Sequence, residues 1–187
     1  MSTLRELTAD SHSKAENTIF MRLLMAKALT PLEYMDYLTQ LQLVYNGIEY
    51  AAEKVGLLKE FEGIQRSDKI RADLEESNAI NRKRSHLRWT TMSYYNYLIN
   101  LDDKDKIAAH FYVRFAGDMF GGQMIKSFVP STGRMYDFDN NLPALRQKMR
   151  EIATPNLAEE ANVAFGHTID IVNDVMGVSS NYWAGVS

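Results

Sequence analysis

Residues 109–127, AHFYVRFAGDMFGGQMIKS, constrain this chain more than any other stretch. Phe111, Phe115, Met119 and Phe120 continue an apolar face at helical spacing. Three glycines, Gly117, Gly121 and Gly122, fall within six residues of it. Each costs about 0.5–1 kcal/mol against Ala in a helix interior, so the backbone itself is needed there. A glycine wall lets a flat ligand lie directly on the main chain, and it permits a kink. Asp118 stands inside the cluster, where a carboxylate can hold water or handle protons. A tight helix–helix crossing with a solvated Asp118 would leave the same pattern, so the pattern alone keeps both readings open.

The rest of the chain reads as all-α. Thr3-Leu4-Arg5-Glu6 is a capping box that opens a first helix through Leu24, with His12 in its middle. Thr30-Pro31-Leu32-Glu33 opens a second helix. Its stripe runs through Tyr34, Leu38, Leu41, Tyr45, Ile48, Ala52 and Val55, and Gly56 is its stop. Tyr45 reads there as a core aromatic, with a ligand-facing role as the alternative. Asp68 caps a short helix through Leu74, and Trp89 and Tyr94–Tyr97 form a helix packed on the bundle. Asp102 and Asp103 lead into the glycine-rich helix, which Pro130 ends. Asn141 caps the next helix, and Thr154-Pro155 starts a last one that Gly177 closes. No period-2 strand pattern, repeat or linker interrupts this order. The expectation is a single multi-helix domain over residues 1–177 and a mobile tail over 178–187.

Composition excludes several classes. The 187 residues contain no cysteine, which removes disulfides, thiolate ligation and a cysteine nucleophile. A formal net charge of −3 offers no field for nucleic acid. No apolar run reaches the roughly 20 residues needed to span a bilayer, and the N-terminus has no secretory pattern. These features read as a soluble, cytoplasmic protein with no membrane partner. Arg82-Lys83-Arg84-Ser85-His86-Leu87-Arg88 is the one dense basic run. It is either a solvated surface or a salt-sensitive dock for an acidic electron donor.

Tyr112-x-Arg114-x-x-Gly117-Asp118-x-x-Gly121-Gly122-Gln123 resembles the distal-helix signature of heme oxygenases. LRELTADSHSKAENTIFM, residues 4–21, resembles their proximal helix. The resemblance covers nearly the whole chain and implies heme b held between those two helices, as both cofactor and substrate, with molecular oxygen as co-substrate. His12 would ligate the iron. Glu16, four residues on and on the same face, would accept its other ring N–H, unless it reaches a basic neighbour instead. Gly117, Gly121 and Gly122 would lie near the distal face. Asp118 would order the proton-delivering water, supported by Arg114. Arg5, Tyr112 and Arg146 match positions that contact propionates, and Phe165 matches a pocket aromatic. The implied reaction opens the ring at a meso carbon, preferably α, giving biliverdin, carbon monoxide and ferrous iron. Reduced ferredoxin or a flavoprotein reductase would supply electrons to a monomer.

Two positions depart from the family. Phe120 stands where a small polar residue is common, and Leu142 where a lysine meets a propionate. Three rivals compete with this reading. The thiamin-degrading hydrolases share such a bundle but need a cysteine. A carboxylate-bridged di-iron protein needs Glu-x-x-His, which none of His12, His86, His110 and His167 offers. A heme carrier or sensor would keep His12 without needing Asp118 among glycines. His110 is a second candidate ligand, although packing suits it better.

Overall fold

In the computed structural model, residues 2–81, 85–138 and 141–178 are described, and their ordered elements are all helical. The tail from 179 and the basic positions Arg82, Lys83 and Arg84 lie outside the described residues.

The centre of the bundle is α4, Pro31–Lys54. Thr30 and Glu33 cap it reciprocally, Pro31 occupies its first turn, and Gly56 turns the chain away at φ +76°. Its stripe is buried from Tyr34 to Ala52. Around it pack α5 (Ser67–Asn81), α6 (Trp89–Ile99), α7 (Lys104–Ala116) and α10 (Ala158–Val175). The Asp103 side chain caps α7 by accepting from the backbone N–H groups of Asp105 and Lys106. Aromatic rings fill the interior: Phe111 lies 5.1 Å from Phe61, and Phe115 meets Tyr45 edge-on at 5.1 Å. The chain starts with α1 (Leu4–Leu7), α2 (Ala9–Glu16) and α3 (Ile19–Met25), and α2 packs on α10.

Several boundaries differ from the sequence expectation. The first helix is three segments. The Thr8 hydroxyl donates to the Leu4 carbonyl at 2.9 Å, and Thr8 sits at φ −111°, ψ 6°. Asn17 bonds back to the Ser13 carbonyl, and Thr18 opens a fresh N-cap with ψ 156°. Helix α5 runs past Leu74 to Asn81, and Asp68 lies within its first turn rather than capping it: Glu49 of α4 takes that place, accepting from the backbone N–H groups of Arg66 and Ser67 at 2.6 and 3.1 Å. The glycine-rich helix stops at Ile125, before Pro130, as its last turn tightens into i→i+3 bonds from Ser127 and Phe128. Asn141 precedes α9 (Leu142–Ile152) without a side-chain cap, since its ψ of 3° is not the extended conformation capping requires. Pro155–Leu157 is a short 3-10 turn ahead of α10.

Candidate active site

The helix α7 does not continue as an α-helix through the glycines. Gly117–Gly121 form one π-helical turn, and α8 (Gly122–Ile125) follows. Such wide turns accommodate an extra residue and cluster at functional sites. Here the turn presents Asp118, which is 9% exposed.

Tyr45 meets it directly, Arg114 acts on it by its charge, and Tyr37 and Thr168 hold Arg114. The Tyr45 hydroxyl donates to Asp118 Oδ2 in a short hydrogen bond. The Arg114 guanidinium lies 5.4 Å from the centre of the Tyr45 ring. Tyr37 hydrogen-bonds to Arg114, and Thr168 Oγ1 lies 3.4 Å from Arg114 Nη1. Burial raises the Asp118 carboxyl to about 6, with the Arg114 charge and the Tyr45 bond pulling against it. Burial, then the Asp118 charge, push the Tyr45 hydroxyl well above its ordinary range, so Tyr45 keeps its proton and donates it. The arrangement is an acid that changes charge near neutrality, oriented by a phenol and a fixed cation.

The three glycines have different jobs. A Cβ on Gly117 or Gly121 would meet nothing within 4 Å, so both expose backbone to open space. A Cβ on Gly122 would lie 2.4 Å from Tyr136 Cδ1. Gly122, expected beside the ligand, is therefore required by close packing against Tyr136. Gly122→Ala should lose about 1–3 kcal/mol of stability through overpacking. Gly117→Ala and Gly121→Ala should gain up to about 1 kcal/mol from helix propensity while obstructing whatever lies on that surface. Thermal melting of the three variants separates the roles, and equal melting temperatures would refute the distinction.

His12 lies on α2. Its Nδ1 is 3.4 Å from Glu16 Oε2, and the two side chains are 57% and 62% exposed. Its Nε2 has no partner among the described residues. The ring meets Phe165 edge-on at 5.7 Å. His12, Glu16 and Phe165 line a cavity of about 110 Å³ together with Tyr37 and Thr168. Because Tyr37 and Thr168 also contact Arg114, this cavity borders the Asp118 network. Tyr37 and Thr168 carry no site signal in the sequence, and Tyr45, on the apolar stripe of α4, reads first as a core aromatic, because a stripe does not tell which polar tip finds a carboxylate.

Of the remaining candidates, Arg5 lies near Tyr112, where its charge opposes the rise that burial imposes on the phenol. Arg146 donates from Nε to the Met119 carbonyl at 2.9 Å, and from Nη2 to the same oxygen. His110 is buried, with Nδ1 2.7 Å from the Tyr94 hydroxyl and Nε2 2.9 Å from Glu160. Glu160 accepts the Nε2 proton, which leaves Nδ1 to accept from Tyr94, so His110 has no free nitrogen and serves packing. No cluster of three or more His, Cys, Asp or Glu able to hold a bare metal ion occurs among the described residues. The residue types present suit a flat, iron-centred macrocycle: the uncommitted His12 Nε2 would offer an imidazole ligand, and Gly117 and Gly121 leave backbone bare of side chains. Among the described residues no helix is long and apolar enough to cross a membrane.

Comparison with known proteins agrees. Residues 1–174 match the family described as heme oxygenase. Heme oxygenase 2 of Synechocystis sp. is 28% identical over 204 residues, covering 92% of this chain and 81% of that protein. Heme oxygenase of Porphyra purpurea is 26% identical, covering 87% and 80%. The crystal structure of Synechocystis heme oxygenase-1 in complex with heme superposes with a TM-score of 0.82 at 24% identity, over 93% of this chain and 90% of that one. The heme oxygenase of Leptospira interrogans gives 0.80 at 23% identity, over 91% and 97%. A buried, glycine-flanked carboxylate bordering the cavity of an accessible histidine, and a family match across almost the full length, lead to one conclusion: the chain belongs to the heme oxygenase family.

Proposed function

We propose that this protein opens heme b at a meso carbon, the α position, in an oxygen-dependent reaction yielding biliverdin, carbon monoxide and ferrous iron. The observation that carries this reading is the Asp118–Tyr45–Arg114 network beside an open glycine wall. A carrier needs the histidine but not a tunable acid. Bound heme would supply the iron at which dioxygen is reduced and the ring that is cleaved.

The residues have distinct tasks. His12 Nε2 would hold the iron, and Glu16 Oε2 would accept the Nδ1 proton and orient the ring. Gly117 and Gly121 would keep side chains off the opposite face. Asp118 Oδ2 is engaged by Tyr45, which leaves Oδ1 to orient water and pass a proton. Arg114 fixes the tyrosine beside it. Arg5 with Tyr112, and Arg146, would face the heme carboxylates. Reduced ferredoxin or a flavoprotein reductase would deliver electrons to a monomer.

The test is an absorption time course. Protein is mixed with hemin, then given a ferredoxin–reductase system, oxygen and catalase. A Soret band that forms and decays into the broad red absorption of biliverdin is expected, and chromatography of the pigment identifies the cleaved carbon. A Soret band that survives turnover conditions with both donors would make the protein a carrier or sensor.

A further inference from the structure

The one-letter run from Met119 to Gly122 contains an exposed aromatic that the reading above leaves unused. Phe120 is 44% exposed and sits immediately before the open Gly121. Two guanidinium groups converge on its ring. The Arg146 and Arg150 carbons lie 5.4 and 5.3 Å from its centroid. Both come from α9, four residues apart and so on one face.

This convergence needs a cause. Like charges at that spacing repel, and Arg150, which is exposed, is free to spread into solvent. The C-terminal end of α9 favours a cation at Arg150, but it does not bring that cation onto the ring that Arg146 already occupies. Neither guanidinium is paired with a carboxylate among the described residues. Glu151, the nearest acid in sequence, bonds Gln147 instead. Arg146 spends Nε and Nη2 on the Met119 carbonyl, inside the π turn, which locks its plane and leaves Nη1 unengaged. Leu142, one turn earlier on the same face, carries no charge.

We propose that Arg150, held on the Phe120 platform beside Arg146, is a second cation of a carboxylate clamp at the rim of the glycine wall, and that it takes a propionate of the substrate. The proposal rests on the heme reading above. A carboxylate between two guanidiniums accepts charge-assisted bonds from both and relieves their mutual repulsion. Phe120 is a positioning residue: it holds both side chains by cation–π contact and reduces the freedom they would lose on binding.

Equilibrium titration of the Soret band with hemin, and with hemin whose two propionates are methyl esters, tests this directly. Arg150→Ala should weaken hemin about 3–10-fold, the scale of an exposed but charge-assisted pair. It should change ester binding less than about twofold. Phe120→Leu should reproduce much of the loss with both arginines present, and Arg150→Lys should fall between, since it keeps charge but loses the planar stack. Arg150 is exposed, so these variants keep the fold. Equal losses for hemin and its ester, or no loss for either, would overturn the clamp. So would unchanged hemin affinity with a raised KM for the electron donor, which would make this face a protein dock. A Soret band absent from the unaltered chain would instead sink the heme reading, and the clamp with it.

Discussion

Asp118→Asn is expected to lower biliverdin formation about a hundredfold or more while making the protein more stable. The loss follows from removing a positioned acid, whose contribution is typically about 10²–10⁴-fold. Asn keeps an oxygen to accept from the Tyr45 hydroxyl, so the geometry survives and the proton does not. The gain in stability follows from the sign of the carboxyl shift. Asp118 is raised to about 6 in the fold, chiefly by burial, against 3.8 as its ordinary value. Above pH 6 the native state holds a buried charge that the unfolded chain solvates freely. That cost is relieved as pH falls from about 6 towards 3.8, because the folded state then binds the extra proton. Two units correspond to about 3 kcal/mol at most, and the Asn variant escapes most of it. Its melting temperature at pH 7.5 should rise by several degrees, and the gain should vanish near pH 4. Single-turnover absorption and calorimetry across pH measure both halves. A lower melting temperature at pH 7.5 would mean that the Asp118–Arg114 attraction outweighs burial. Undiminished turnover would move the proton chemistry elsewhere.

His12→Ala should abolish the normal ferric heme spectrum and, with it, turnover. The fold should be untouched to within about 0.5 kcal/mol, because the His12 side chain is 57% exposed and contributes nothing to the core. Free imidazole added to the variant should restore much of the spectrum by entering the space the side chain leaves. An unchanged spectrum without imidazole would require another axial ligand. His110 is unsuited to that role, having both nitrogens committed to Tyr94 and Glu160.

Local sequence carried a great deal of this molecule. Thr30, Glu33, Pro31 and Gly56 act where short-range rules place them, because a cap is decided by residues within one turn. The stripe of α4 is buried as its period requires. Asp118 is legible because it stands among three glycines inside a motif that resembles the family's distal helix, although the glycines alone would also suit a helix crossing. What stayed hidden depends on distant partners. Tyr45 and Asp118 are 73 residues apart and meet only once α4 and α7 are packed. Glu49 caps a helix 18 residues away in sequence. Gly117, Gly121 and Gly122 look alike in the chain, yet only the position of Tyr136 makes one of them a packing glycine. The break at Thr8 is not legible in the sequence, because a hydroxyl that bonds back to the Leu4 carbonyl competes with the helix on nearly equal terms.

The helix that bears His12 has a further consequence. None of the eight residues of α2 is buried. Its hold on the bundle is therefore shallow, and a planar macrocycle held by His12 would add apolar contact to it. Binding then stabilises the fold by mass action. The proposed reaction would remove that support. A rigid ring would become an open, pliable chain no longer held by His12, and would cease to brace α2. The protein would then use up a piece of its own interior in every cycle, and the loosening would let the product go.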